Sequence, residues 1–416
     1  MAKESPSLWQ RLTGLFGGGE SPAIAQEVAE PQVAKARPRA SIPDERNPDL
    51  EAPMIKNPDD EEAWAVFGDW LGTIGDPRGE LISLALQDQG KFGTRIAEIN
   101  TEYRLAWLGA DLASIVEKQH ERDGMLRIEW RHGFIDRLRV RAPYGWKGTP
   151  TPEVLATLLR HPSARFIRHI GLGLLDPGTG EMDQFSAGVE VLKEHGALPS
   201  LRSLHIGDFV YPDEMEISWV EVPDVHDLFP LLPNLEELHL QGSGIGEGEI
   251  RHDRLRRIKF ETGGLDELAA WAAVNSEVPS LEDLEVWFGD EEYGASATID
   301  TIQSIFDTDT PKRFPKLKRL ALMNCMFTND IAAALAEAPI LQQCDRLDLS
   351  KGTLTDEGAQ VFLDRADRFG HLKEINLEES LLLEAEQALI QAYGKVVKIG
   401  YQRDFEEDWV YTAVGE

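Results

Sequence analysis

Three carboxylates and one cation stand close together in DWLGTIGDPRGELI: Asp69, Asp76, Glu80 and Arg78. Paired carboxylates can do general acid/base work. They must then be held a few ångströms apart in a cleft, in environments that separate their pKa values. Local structure explains these residues more simply. Asp76-Pro77 is a helix cap followed by a first-turn proline, and the acids at 59–62 suit the positive end of a helix dipole. Asn57 is expected as the N-cap of that earlier helix, with Pro58 at its first position. Asp69 with Arg78 across the turn is expected to brace a helix–helix corner.

Other chemistry finds no footing. The ten histidines form no HExxH or HxH motif and no Cys/His cluster at ligand spacing. GDEEYG and DTDTPKRF lack the ligand order of a calcium loop. GLGLLDPGTG has no Lys-Ser/Thr ending, GSGIGEGE reads as a loop after a strand, and no G-x-S-x-G elbow occurs. The expectation is a protein without catalytic residues, metal or cofactor.

The chain has 416 residues, of which 42% are hydrophobic and 28% charged, with a formal net charge of −31. That charge repels nucleic acid and attracts basic partners. The two cysteines, Cys325 and Cys344, make no disulfide framework. No apolar run is long enough to span a membrane, and the N-terminus lacks the apolar core of a secretory signal. A cytoplasmic location is expected.

Residues 1–52 read as a mostly disordered tail rich in Pro, Ala, Glu and Ser. Within it, residues 7–16 place Leu8, Trp9, Leu12 and Phe16 on one side of a short helix stopped by Gly17-Gly18-Gly19. This is a candidate docking peptide for a partner. Membrane contact is disfavoured, because Arg11 is its single basic residue. Residues 53–124 read as helical, through Trp64, Phe67, Leu71 and Ile74, then Leu81, Ile82 and Leu84, then a longer stripe to Ile115.

Beyond Gly124 one hexamer keeps returning: apolar-x-x-apolar-x-apolar. It appears as IDRLRV, IRHIGL, LRSLHI, LEELHL, LRRIKF, LEDLEV, LKRLAL, CDRLDL and LKEINL, with VVKIGY as a weak last copy. Helical stretches such as DIAAALAEA and DEGAQVFLDRA lie between copies. One such hexamer means little, but a near-regular series marks a stacked repeat.

Residues 135–401 resemble leucine-rich-repeat proteins, and LDLSKGTLTDEGAQVF resembles the ribonuclease-inhibitor subclass. The resemblance implies that Asn324, or Ser350 less well, bonds loop backbone. DWL, GDPRGELI and WRHGFIDRL resemble the small repeat-companion module that precedes such repeats in bacterial proteins. The fold expected is α/β: a solenoid at 125–402, with a curved parallel sheet and outer helices, preceded by a small α-helical cap. Residues 403–416 are expected as an acidic tail, with YTAVGE closing the array as a short edge strand.

In a solenoid the strands line a long concave face. The outward column of the hexamers then reads Arg139, Gly171, His205, His239, Lys259, Glu285, Ala321, Asp348, Asn376. The next column holds Glu261, Trp287 and Met323. From these, His205, His239, Lys259, Glu285, Trp287, Asp348 and Asn376 are the candidate partner-binding residues. Trp287 serves as a binding anchor if exposed, or packs beneath the 288–311 insertion. Between Leu201 and Thr310 there are 25 Asp and Glu against 6 Lys and Arg. Clusters at 213–216 and 290–292 would steer a basic protein. The function expected is protein recognition without catalysis. The alternative is a regulatory or substrate-selecting subunit of an enzyme or effector system, inhibitor-like or ligase-like.

Overall fold

The computed structural model describes residues 45–415 except 88, 121–125, 143–145, 247 and 405–409. Leu8, Trp9, Leu12 and Phe16 lie outside the described residues.

Among the described residues, four helices precede the sheet. α1 (Pro48–Lys56) starts inside the stretch expected as tail, where the Asn47 side chain accepts from Leu50 N and Pro48 takes the first position. α2 (Glu61–Thr73) is capped by Asp60, which accepts from Ala63 N at 2.9 Å. Asn57 is therefore not the N-cap of α2. Its own N–H closes the last turn of α1 on Pro53 O, and its side chain accepts from Asp59 N. Gly75, at φ +76°, releases the chain from α2. Asp76 then caps α3 (Arg78–Gln87) through Arg78 N at 2.9 Å. α2 and α3 cross closely because Gly79 has no side chain: a Cβ there would lie 2.6 Å from Gly72 N. α4 (Gln89–His120) is broken at Gly109.

Trp64 and Phe67 of α2 pack with Phe134 and Phe166 as a cluster of rings, with Phe134 and Phe166 centroids 4.9 Å apart. The corner brace differs from expectation. Asp69 is exposed, and Arg78 pairs with Asp76 instead, at 3.3 Å. A cap carboxylate already sits beside the guanidinium, so no reach to Asp69 is needed.

β1 (Leu126–Arg131) and β2 (Phe134–Val140) form an antiparallel hairpin. Its two-residue turn, His132-Gly133, has φ of +54° and +77°, as a mirror-image turn between twisted strands requires. The chain continues through α5 (Thr151–Arg160), β3 (His169–Leu172), α6 (Ser186–His195), β4 (Ser203–Ile206), β5 (Glu237–Gln241) and β6 (Arg257–Glu261). Next come α7 (Glu267–Asn275), β7 (Asp283–Gly289), β8 (Arg319–Cys325), α8 (Thr328–Glu337) and β9 (Arg346–Asp348). α9 (Asp356–Asp364), β10 (Glu374–Asn376), α10 (Glu386–Tyr393) and β11 (Val397–Lys398) follow, with short helical turns such as Thr310–Arg313 and Ala366–Phe369 between the longer elements.

Among the described residues, eleven strands form one sheet in sequence order, and every neighbour pair after β1–β2 is parallel. Each hexamer read from the sequence supplies one strand. Leu204, Leu238, Ile258, Leu284 and Leu320, at the central apolar position of five of them, are at most 2% exposed and belong to one continuous core. Burying each such side chain is worth roughly 1.5–3 kcal/mol. The period-2 alternation leaves the intervening residues on the open face.

Residues 410–415 make no edge strand; β11 is the last in the sheet. Arg403 turns the chain back, holding Ser380 O with its N–H and Gly352 O and Tyr411 O with its guanidinium. The segment then lies against the loops that follow earlier strands.

Candidate functional site

Strand register brings the outward residues into one row. Arg139 pairs with Gly171, then His205, His239, Lys259, Glu285, Ala321, Asp348 and Asn376 follow across successive strands. Trp287 and Met323 pair in the next row. Adjacent positions of one row stand about 5 Å apart, near enough for their side chains to bond.

They do bond. The His205 and His239 rings stack with centroids 3.7 Å apart and planes 12° apart. His239 Nε2 meets Glu261 Oε2 at 2.9 Å. Lys259 Nζ lies 2.5 Å from Glu261 and 3.3 Å from Glu285. Arg319 gives one nitrogen to Glu285 Oε2 at 2.7 Å and the other to Asp348 Oδ2 at 2.9 Å. Asp348 in turn accepts from the Ser350 hydroxyl and N–H. At the other end Asp208 reaches Arg139 at 2.8 Å, and Arg139 and Arg141 both hold Glu214. Gly171 makes that reach feasible, since a Cβ there would lie 2.3 Å from Asp208 Oδ2. Asn376 stays outside the ion pairs and accepts from Glu378 N.

Trp287 is 6% exposed. Its indole N–H donates to Glu285 Oε1 at 2.9 Å, and the Lys259 and Lys351 ammonium groups lie 5.3 and 5.6 Å from its ring centre. It packs beside the row, covered rather than presented.

These contacts fix the charges. Burial favours a neutral Glu261, but His239 and Lys259 outweigh it and hold the carboxyl at about 2. Glu285 is likewise lowered against its burial, by Lys259 and Arg319. Lys259 resists burial and is raised by the same two carboxylates. His205 is lowered by burial and by its stacked neighbour, so it is neutral near pH 7. From Glu261 through Lys259, Glu285 and Arg319 to Asp348 the charges alternate in sign along one chain of contacts. Cys344 is buried, and burial pushes its thiol up to about 12; Cys325 is pushed up in the same way. Neither is a thiolate near neutral pH. Among the described residues no three His, Cys, Asp or Glu side chains are grouped to hold a metal ion. No helix among them is long and apolar enough to cross a membrane.

The rim differs from the row. Glu214, expected to face a partner, is spent on Arg139 and Arg141, and Asp290 is buried and accepts from Glu292 N. Asp213, Glu291 and Glu292 of the same clusters stay exposed, and further open acids lie where three loops meet. Short bridges join Asp183 to Glu221 and Glu221 to Ser243, which brings three loops side by side. Here Glu181, Asp183 and Glu221 are exposed, Trp219 is 60% exposed and Met182 is 49% exposed. None of these three carboxylates appears in an ion pair among the described residues. The sequence reading missed Trp219 because it sits in an insertion with no strand period; only its residue type signalled it.

No family model matches the chain, and no curated protein does. Among solved structures it is similar to a protein of Bacteroides fragilis determined by crystallography as a structural-genomics target. That likeness has a TM-score of 0.57 and 26% identity over 66% of this chain and 77% of that one. The leucine-rich repeat domain of APL1B aligns with 65% of this chain and 81% of its own at 11% identity. Its TM-score of 0.25 is too low to carry an argument. With one strand per hexamer and a sheet strictly in sequence order, the chain fits a leucine-rich-repeat solenoid.

Proposed function

We propose that this protein recognises a basic protein partner without catalysis, through the open face of its sheet and the acidic rim beside it. The observation that carries this is the contrast between the two surfaces. Along the face the charges are paired in a rigid row, which presents a fixed pattern at little ordering cost. At the rim, exposed Glu181, Asp183 and Glu221 stand in the loops that carry Met182 and Trp219; none of the three appears in an ion pair among the described residues, and Asp183 accepts from Phe185 N and Ser186 N at the start of α6. Exposed tryptophan and methionine are the residue types enriched in protein interfaces, and uncompensated acids steer a cationic surface toward them. In this reading residues 53–124, which take in the end of α1 and all of α2–α4, are a companion cap on a ribonuclease-inhibitor-like solenoid (125–402). Leu8, Trp9, Leu12 and Phe16 are a second contact, and the setting is cytoplasmic.

The test is affinity capture from a native extract at low and high salt, with the wild type and a Glu181→Gln/Asp183→Asn/Glu221→Gln variant side by side. A basic protein held by the wild type at low salt, released at high salt and missed by the variant supports the reading. A partner held equally by both rejects the rim. A partner recovered only after removal of its cationic surface rejects the charge argument.

A further inference from the structure

Residues 410–415 are read by the rest of the fold the way a peptide ligand is read. Their exposure alternates: Tyr411 faces out, Thr412 in, Ala413 partly out, Val414 in, with Thr412 and Val414 only 3% and 5% exposed. That is the period of an extended strand. The loops they cross come in reverse repeat order. Tyr411 O accepts from Arg403 Nη1 at 2.5 Å, and Ala413 N–H donates to Lys351 O at 2.9 Å, beyond β9. At the end of β8, Val414 N–H donates to Asn324 Oδ1 at 2.9 Å, while Asn324 Nδ2 donates back to Val414 O at 2.6 Å. Gly415 then meets Gly263 beyond β6, so closely that a Cβ on Gly263 would fall 1.8 Å from Gly415 O. The ring of Tyr293 closes the other side.

Each of these contacts to the segment addresses its main chain. Recognition of that kind tolerates many sequences, and the choice falls to the inward side chains. Asn324 is the decisive residue. It is fully buried and holds φ at +51°, a left-handed conformation unusual for a side-chain-bearing residue. The resemblance to leucine-rich repeats implies an asparagine serving loop backbone there. Its amide instead takes both polar groups of Val414. Without a main chain in that place, a buried donor and a buried acceptor lose their partner together, which folded proteins avoid. The loops after β6, β8 and β9 are thus incomplete without an extended chain laid across them.

We propose that these loops form a binding site for an extended peptide, that residues 410–415 occupy it in cis, and that a partner segment of the same pattern displaces them. The pattern is a small β-branched residue at each of two alternate positions, followed by glycine. The site touches the row's neighbour Trp287 through Lys351, but it is built on other contacts and stands whether or not the row and the rim bind a partner.

The test uses the full chain and a fluorescently labelled peptide VYTAVG. In a Val414→Asp chain the tail loses its inward anchor, so the peptide should bind at least ten-fold tighter than it binds the wild type. Adding Asn324→Ala to that chain should abolish the gain. Equal binding to wild type and Val414→Asp, no binding to either, or binding that survives Asn324→Ala overturns the proposal. Hydrogen exchange on the wild-type chain guards against a variant that fails to fold. The Ala413 and Val414 amides should exchange at least ten-fold faster than the amides of β8, showing that the segment leaves without global opening. Exchange at the rate of β8 means a permanent part of the fold and also overturns it.

Discussion

Arg78 donates from Nε to the carbonyl oxygen of Gly133 at 3.0 Å, across 55 residues of chain. The arginine of GDPRGELI thereby grips the hairpin turn of WRHGF, so the two motifs that stood out in the first third of the sequence are halves of one joint. Asp76 and the Ser163 hydroxyl take its other nitrogens, and its guanidinium lies 4.5 Å from the ring centre of Phe134. Gly133 must be glycine twice over. Its φ is +77°, and a Cβ would stand 2.7 Å from Arg78 Cγ.

Arg78→Ala should therefore cost about 3–5 kcal/mol, the usual result of removing one partner from a buried ionic cluster. Arg78→Lys should recover only part of it, because an ammonium cannot reach three acceptors from one plane. Asp69→Ala, at an exposed position, should change stability by less than about 0.5 kcal/mol. Urea unfolding of the three variants checks this. A neutral Arg78→Ala would show that the joint is not what fixes the cap to the sheet.

The Glu285 carboxylate joins Lys259, Arg319 and Trp287. Glu285→Gln keeps the shape and removes the charge, leaving two cations side by side with less to hold them. We expect a loss of about 1–3 kcal/mol, less than for a fully dry pair because Lys259 is a third exposed. Glu291→Gln, on the exposed cluster, should be neutral. A double-mutant cycle of Glu285 with Arg319 should show coupling above about 0.5 kcal/mol. Additive effects would mean that the row does not act as a unit.

Acid should loosen the joint through His132. Burial, helped by the nearby cations Arg131 and Arg168 and opposed by Asp136, lowers its imidazole to about 4 from an ordinary 6.5. The folded state thus keeps this ring neutral while the unfolded state takes up a proton below about pH 6.5. Its contribution is complete above that value and falls as pH drops toward 4, by at most about 1.4 kcal/mol per pH unit. His132→Asn, which tolerates a positive φ, should flatten the stability–pH curve between pH 6.5 and 4. An unchanged slope there would assign the acid sensitivity to other groups.

Much of this architecture was legible because its period is short. Leu204 and Ile206, or Leu284 and Val286, show their burial by spacing alone, and the outward row follows from that register without further information. What joins the row was not legible. Arg319 and Glu285 are 34 residues apart, and nothing in either hexamer says which rotamer meets which neighbour. Whether Trp287 anchors a partner or is covered stayed open in the sequence, because an outward column does not reveal the two lysines and the carboxylate that close over it. YTAVGE reads as a strand, and residues 411–414 do alternate between outside and inside, but the edge was already taken by β11, and Arg403 sends the chain back across the loops. The Asp69–Arg78 brace failed for a local reason: Asp76, two residues from Arg78, was nearer.

Trp219 separates a recognition surface from a merely solvated one. It is 60% exposed, so Trp219→Ala removes little buried area and should leave stability within about 0.5 kcal/mol of the wild type. If the rim docks a partner, the same change should weaken binding by more than about 2 kcal/mol, as truncation of an aromatic hot spot does. Trp271, also exposed at 44% but on α7 behind the sheet, is the control and should be silent in both measurements. Salt distinguishes the anchor from the charges around it. Raising ionic strength should slow association with wild type and Trp219→Ala alike, since Glu181, Asp183 and Glu221 remain in both. The Trp219 deficit should appear in the dissociation rate and persist at high salt. A deficit that vanishes with salt would reduce the tryptophan to a bystander among the acids, and equal losses for Trp219→Ala and Trp271→Ala would remove the rim from the account.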